Sequence, residues 1–213
     1  MIRILLALVI GGGILAFLGI KQWSLKNAAK PEPTQVTYAE LVSPDLDNAH
    51  VTIDNFAMPG DFIYSQNETT RQYETVYLPA IDPDGAYGEK VATAITDTLA
   101  AGGTIDDVVM PGVVASEVQV IVKTTKAKNQ QQVDRLIEKE SLQGIVVNKI
   151  EGIDGEVKRL LEQSYPGIDA DNVILLEVDR KPPSAGKAFG MTFGGFGLTL
   201  AGIAGFVFAG KRS

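Results

Sequence analysis

The sequence predicts an α+β domain, with a mixed sheet and a βαβαβ C-terminal half, held between two transmembrane helices. Three observations carry this. Long uncharged apolar runs lie near both ends of the 213 residues. All 26 acidic residues fall between those runs, from Glu32 to Asp179. Within that segment the apolar positions switch repeatedly between the period of two of a strand and the 3.6 of a helix.

The first apolar run, Ile4 to Ile20, is uncharged and flanked by Arg3 and Lys21. At about 1.5 Å per residue it reaches roughly 26 Å, close to the thickness of a bilayer core. A cleaved signal peptide has a shorter apolar core and a small-x-small cleavage site, whereas KQWSLKNAAKP follows here, so an uncleaved anchor is expected. Trp23 suits the membrane interface. The second run, Ala188 to Gly210, closes on Lys211 and Arg212. It has many glycines and no polar face, which fits a span better than a buried globular helix. Gly197, Ala201, Gly205 and Ala209 recur every four residues, and Gly12 and Ala16 repeat that interval in the first run. Small residues on one face let helices approach closely in lipid, so these six are the expected helix-packing positions, between the spans or between copies of the chain.

Two spans put both ends on one side of the bilayer and the domain on the other. Near the spans, Lys21, Lys26, Lys30, Arg180, Lys181 and Lys187 lie on the domain side, against Arg3, Lys211, Arg212 and the terminal amine. That count alone favours a cytoplasmic domain. A short basic head before a long apolar run has the form of a signal anchor, however, and Lys211-Arg212 that of a stop-transfer flank. An extracytoplasmic domain is therefore the expectation. The predicted boundaries are 1–21 for the first span, 22–33 for a juxtamembrane linker, 34–180 for the soluble domain, 181–187 for a Pro-rich linker and 188–210 for the second span. Pro31 with Pro33, and Pro182-Pro183, stiffen the two linkers.

In the domain, Thr37-Tyr38-Ala39-Glu40 is a capping box that opens a short helix. His50 to Ile53, Phe62 to Tyr64 and Tyr73 to Leu78 read as strands of an antiparallel meander. Val91, Ala92, Ile95 and Leu99 mark one helix face, ended by Gly102-Gly103. Val118, Val120 and Val122 alternate as a strand, and Val133, Leu136 and Ile137 line a helix. Gly144 to Val147 is a short strand, and Val157, Leu160 and Leu161 line a helix capped by Asp154. Val173 to Leu176 is nearly continuous, as in a strand buried on both faces. This strand–helix alternation predicts parallel crossovers.

Several chemistries are excluded by composition. With no cysteine there is no disulfide, no Cys-ligated metal and no thiol nucleophile. One histidine excludes any site that needs two. No nucleotide is expected, because Gly11-Gly12-Gly13 lies inside the first span and Gly102-Gly103-Thr104 lacks a phosphate-loop lysine. From Glu32 to Asp179 there are 26 acids against ten bases, a net −16, which repels nucleic acid. Glu32 to Glu117 alone carries −13, from 15 acids against Arg71 and Lys90. Asn67-Glu68-Thr69 is a glycosylation sequon, meaningful only in a eukaryotic secretory compartment.

Three aspartate pairs offer oxygen ligands to a divalent cation: Asp45 with Asp47, Asp82 with Asp84, and Asp169 with Asp171. None is in an EF-hand register, and Asp, Asn, Pro and Gly are also ordinary turn residues. His50 between Asp47 and Asp54 permits a Ser-His-Asp arrangement, without the Gly-x-Ser-x-Gly elbow that would support it. No catalytic or cofactor-binding residue is assigned, and a divalent cation is the one cofactor considered. The expected function is that of a membrane-tethered, non-enzymatic binding or assembly protein. Its partners are the bilayer and a protein, or copies of itself through the small-residue helix faces. The alternative is a membrane-bound hydrolase or metal-dependent enzyme drawing on the aspartates and His50.

Overall fold

The computed structural model describes residues 2–148 and 152–210. Lys211 and Arg212, expected to close the second span, lie outside the described residues. The chain divides into two compact units, Met1–Pro31 with Lys181–Ser213, and Glu32–Arg180. Described in chain order are α1 (Ile2–Ala28), β1 (Thr34–Thr37), α2 (Tyr38–Val42), β2 (His50–Asp54), β3 (Ile63–Gln66), β4 (Tyr73–Ala80), α3 (Ala86–Ala100), β5 (Val120–Thr124), α4 (Gln130–Ile137), β6 (Leu142–Val146), α5 (Gly155–Ser164), β7 (Ile174–Val178) and α6 (Ala185–Gly210).

α1 and α6 form the first unit, and both are long and apolar enough to cross a membrane. Only 17% and 11% of their most apolar stretches are buried within the protein, unlike the core helices of a globular fold. α1 continues well past Lys21, through seven positions expected in the linker. The sequence from Gln22 to Ala28 contains no helix breaker, and the first proline is Pro31.

The second unit is an α+β domain on one seven-stranded mixed sheet, in the order β1-β2-β6-β7-β5-β4-β3. β1 pairs parallel to β2, and β5 parallel to β7; every other pairing is antiparallel. Two sequence expectations are corrected here. The meander holds only for β3 and β4, because β2 joins β6 and a strand the sequence reading lacked, β1. The β5-α4-β6-α5-β7 order is present, but neither helix makes a parallel crossover. β6 runs antiparallel to β7, and the parallel partners β5 and β7 are two helices apart in sequence.

The core follows the sheet centre. Val120, Ile121 and Val122 of β5 are all buried, as are Leu175 and Leu176 of β7, so these strands are covered on both faces. Val133 and Leu136 of α4 and Leu161 of α5 join them. Gly144 in β6 is required by close approach, since a Cβ there would lie 2.5 Å from the Glu177 carbonyl oxygen on β7. Beyond the end of β6, Asn148 continues the ladder with its side chain. Its Nδ2 donates to the Val173 carbonyl at 2.8 Å, and its Oδ1 accepts from the Leu175 N–H at 3.0 Å.

The capping box at α2 is formed as expected. The Thr37 N–H donates to Glu40 Oε2 at 2.8 Å, and the Glu40 N–H to Thr37 Oγ1 at 3.3 Å. That cap sets Tyr38 into the core, where its hydroxyl donates to the Ala80 carbonyl at 3.2 Å. Burial pushes the phenol up to about 12, aided by the charge of Asp82 and opposed by backbone hydrogen bonds at Gln119 and Val120. A folded-state pKa above the unfolded one means that the stabilisation is complete below about pH 10 and lost as pH rises through about 12. Thermal melts should therefore show stability falling across that window, and falling less steeply in Tyr38→Phe. Tyr165, also raised to about 12 by burial, retains its share in both proteins. Identical slopes would place the Tyr38 hydroxyl in water.

Candidate functional site

The helix pair is built on small residues. A Cβ added at Gly12 would lie 2.6 Å from the Thr199 nitrogen, one at Gly19 2.4 Å from the Thr192 nitrogen, and one at Gly195 2.3 Å from the Ala16 nitrogen. The antiparallel contact line thus runs through Val9, Gly12, Ala16 and Gly19 on α1, against Thr192, Gly195, Thr199 and Gly202 on α6. The steps alternate between three and four residues. A strict four-residue step advances about 40° around a helix each time, whereas alternating three and four holds one seam. Of the positions singled out by spacing, Gly12 and Ala16 lie on the line, and Gly205 meets Leu5. Gly197 has nothing within 4 Å, and Ala201 is exposed. Ala209 belongs to α6, but its side chain lies outside the described residues.

The three aspartate pairs sit in three separate loops, and only Asp82 and Asp169 accept hydrogen bonds from the backbone beside them. Asp45 follows α2, where its N–H donates to Ser43 Oγ, and both Asp45 and Asp47 are exposed. Asp82 Oδ1 accepts from the Asp84 N–H at 3.0 Å, and Asp84 Oδ2 accepts from Asn55 at 2.7 Å. Asp169 accepts from the backbone and side chain of Asn172, which hold its carboxyl below the usual aspartate range. Asp171 is ion-paired with Lys158. Among the described residues, no three His, Asp or Glu side chains come together as metal ligands would.

His50 is buried at the start of β2. Its N–H donates to Asn48 Oδ1, and its Nε2 lies 2.9 Å from the Gln143 amide nitrogen on β6. With that amide donating, Nε2 is the acceptor and the ring proton sits on Nδ1. Asp54 takes a hydrogen bond from Gln35 on β1. The buried Asn48 reaches the Glu32 carbonyl and Thr34 Oγ1, both at 3.0 Å. It ties the segment entering the domain to the sheet, a role its sequence position does not announce.

The least expected surface lies on α3 and the segment after it. α3 has the amphipathic pattern of a core helix, yet of its residues only Tyr87 is fully buried. Val91 and Ile95 are half-covered, and Leu99 is 49% exposed. Beyond Gly102, which ends the helix at φ +84°, Ile105, Val109, Met110 and Val114 are exposed, Val109 by 85%. Acids accompany this apolar strip: Glu89 and Asp97 on α3, then Asp106 and Asp107. The Thr104 N–H and O–H both donate to Asp107 at 2.8 Å and hold its carboxyl below the usual range, so it stays charged. At the far end Lys90 pairs with Glu117 at 2.6 Å. The signal in the sequence is the uncharged stretch Val108 to Val114, too broken by Pro111-Gly112 for a strand and too apolar for an ordinary loop.

Comparison with family models, with curated proteins and with solved structures found no match for this chain.

Proposed function

We propose that the chain is a two-pass membrane protein, its domain extracytoplasmic, that acts by binding: α1 and α6 fix it in the bilayer and the acidic domain docks a protein partner. The observation that carries this reading is the exposed apolar strip of α3 and residues 105–114, set among acids. Isolated exposed apolar side chains are ordinary, but a contiguous run of them on a helix and its adjoining loop is the mark of an interaction surface. The charge selects the occupant. From Ala86 to Glu117 there are five acids and one base, which disfavours an anionic lipid surface and a second copy of the same face. The fitting partner is a protein with an apolar centre bordered by lysine or arginine. The turn-bound aspartates and buried His50 give the enzymatic alternative no comparable support.

The test uses the full chain in mild detergent with a photo-crosslinking residue at Val109. A stoichiometric protein partner should be captured, with capture falling as salt is raised. Met110→Asp should reduce it at least about tenfold, in the range of an interface hot spot. Asp106→Lys with Asp107→Lys should reduce it and remove much of the salt dependence. Recovery of monomer alone, or capture indifferent to all three substitutions, would sink the reading.

A further inference from the structure

One feature of the domain runs against its charge. An open cavity of about 210 Å³ is lined by Thr124, Lys126, Gln132, Arg135, Lys139 and Asp179, over an apolar floor that includes Leu136. It lies at the C-terminal end of β5 and along α4, where positions 132, 135 and 136 line the cavity from the helix and Lys139 from just past its C-cap. Three of the ten bases in a segment of net −16 converge here.

Their pairing is incomplete. Lys126 has Asp179 at 3.8 Å, a contact in which both side chains remain largely in water. Arg135, in the last turn of α4, and Lys139, just beyond that helix, make no ion pair among the described residues, so two like charges line one cavity. The neutral groups are turned the same way. Thr124, only 2% exposed, uses Oγ1 to accept the Lys126 N–H at 3.1 Å, which leaves its hydroxyl proton to donate. Gln132 uses Oε1 to accept the Lys128 N–H at 2.6 Å, which leaves its amide NH₂ to donate. Each polar lining side chain except Asp179 therefore offers a ligand a donor, and Asp179 is already set against Lys126.

We propose that this cavity binds a phosphate group, carried by a free phosphomonoester or by a lipid headgroup. A dianion matches the two unpaired cations, and the guanidinium of Arg135 suits tetrahedral oxyanions. The small volume and the lack of any aromatic lining leave no place for a nucleoside base.

The test is footprinting of lysine amines by reductive methylation and mass spectrometry, on the full chain in non-ionic detergent. Inorganic phosphate should slow methylation of Lys126 and Lys139 by about tenfold at saturation, and leave Lys158 unchanged. Arg135→Gln, an exposed position that leaves the fold alone, should abolish the protection of Lys139. Short-chain phosphatidate and phosphatidylcholine form the second arm. Protection by inorganic phosphate and phosphatidate alike supports a site for the free group. Protection by phosphatidate alone, lost in Arg135→Gln, supports the headgroup. No protection by either, or equal protection of Lys158, overturns the proposal.

Discussion

Gly195→Val is expected to force α1 and α6 apart. A side chain at this position begins 2.3 Å from the Ala16 nitrogen and 2.7 Å from the Gly12 carbonyl oxygen. Both are backbone atoms and cannot rotate aside, so the helices themselves must move. Overpacking of this kind costs about 1–3 kcal/mol, and more where no neighbour can yield. Association in lipid lacks a hydrophobic driving force and depends on close contact, so little else opposes the separation. The control is Gly197→Val, where nothing lies within 4 Å. Because the chain has no cysteine, spin labels can be placed uniquely at Ile10→Cys and Leu200→Cys, both more than half exposed. The interlabel distance in detergent should lengthen and broaden in Gly195→Val and match the parent in Gly197→Val. A matching distance in both would move the contact line elsewhere on α6.

The second large effect is in the domain core. Leu176 is fully buried in β7, between β5 and β6. Leu176→Ala removes its contacts and leaves a cavity that neighbouring strands cannot close, at a cost of roughly 2–5 kcal/mol. For a domain of this size the thermal midpoint should fall by roughly 5–15 °C. Leu99→Ala makes the instructive comparison. Leu99 sits on the apolar face of α3 at the same helical spacing as a core residue, yet it is 49% exposed. Its truncation should change stability by less than about 0.5 kcal/mol while weakening partner capture. A large stability loss in Leu99→Ala would mean that the C-terminal end of α3 is packed as Tyr87 is at its start.

That pair of leucines marks the boundary of what the sequence makes legible. Apolar spacing reports that a face is covered and says nothing of what covers it. Val173 to Leu176 reads correctly as a central strand because an uninterrupted apolar run needs cover on both sides. Val91 to Leu99 reads only as one helix face, because a face awaiting a partner has the same period as a face on a sheet. Local signals transfer well: the Thr37–Glu40 cap and the stop at Gly102 depend only on neighbouring residues. Pairing does not transfer, since β2 finds β6 about ninety residues away and no pattern within His50 to Asp54 specifies that. β1 is only four residues long, with Val36 alone buried, too little to stand out before its partner is known. The helix seam shows the same limit. The four-residue glycine repeat is conspicuous in α6, but the contact follows the three-four alternation that passes through Thr192 and Thr199. The basic cavity escapes a linear reading because Lys126, Arg135 and Asp179 meet only once β5, α4 and β7 are in place.

The position of β7 has a consequence for the order of assembly. It is the last strand of the domain in sequence, yet it fills the slot between β5 and β6. Without residues 174–178 the pairing scheme leaves two halves, β1-β2-β6 and β5-β4-β3, each with an unpaired edge where the centre belongs. Such edges recruit foreign strands, and closure across so long a stretch of chain is slow. The sheet therefore closes only when Val178 is reached, and the two inner edges are paired by the same strand.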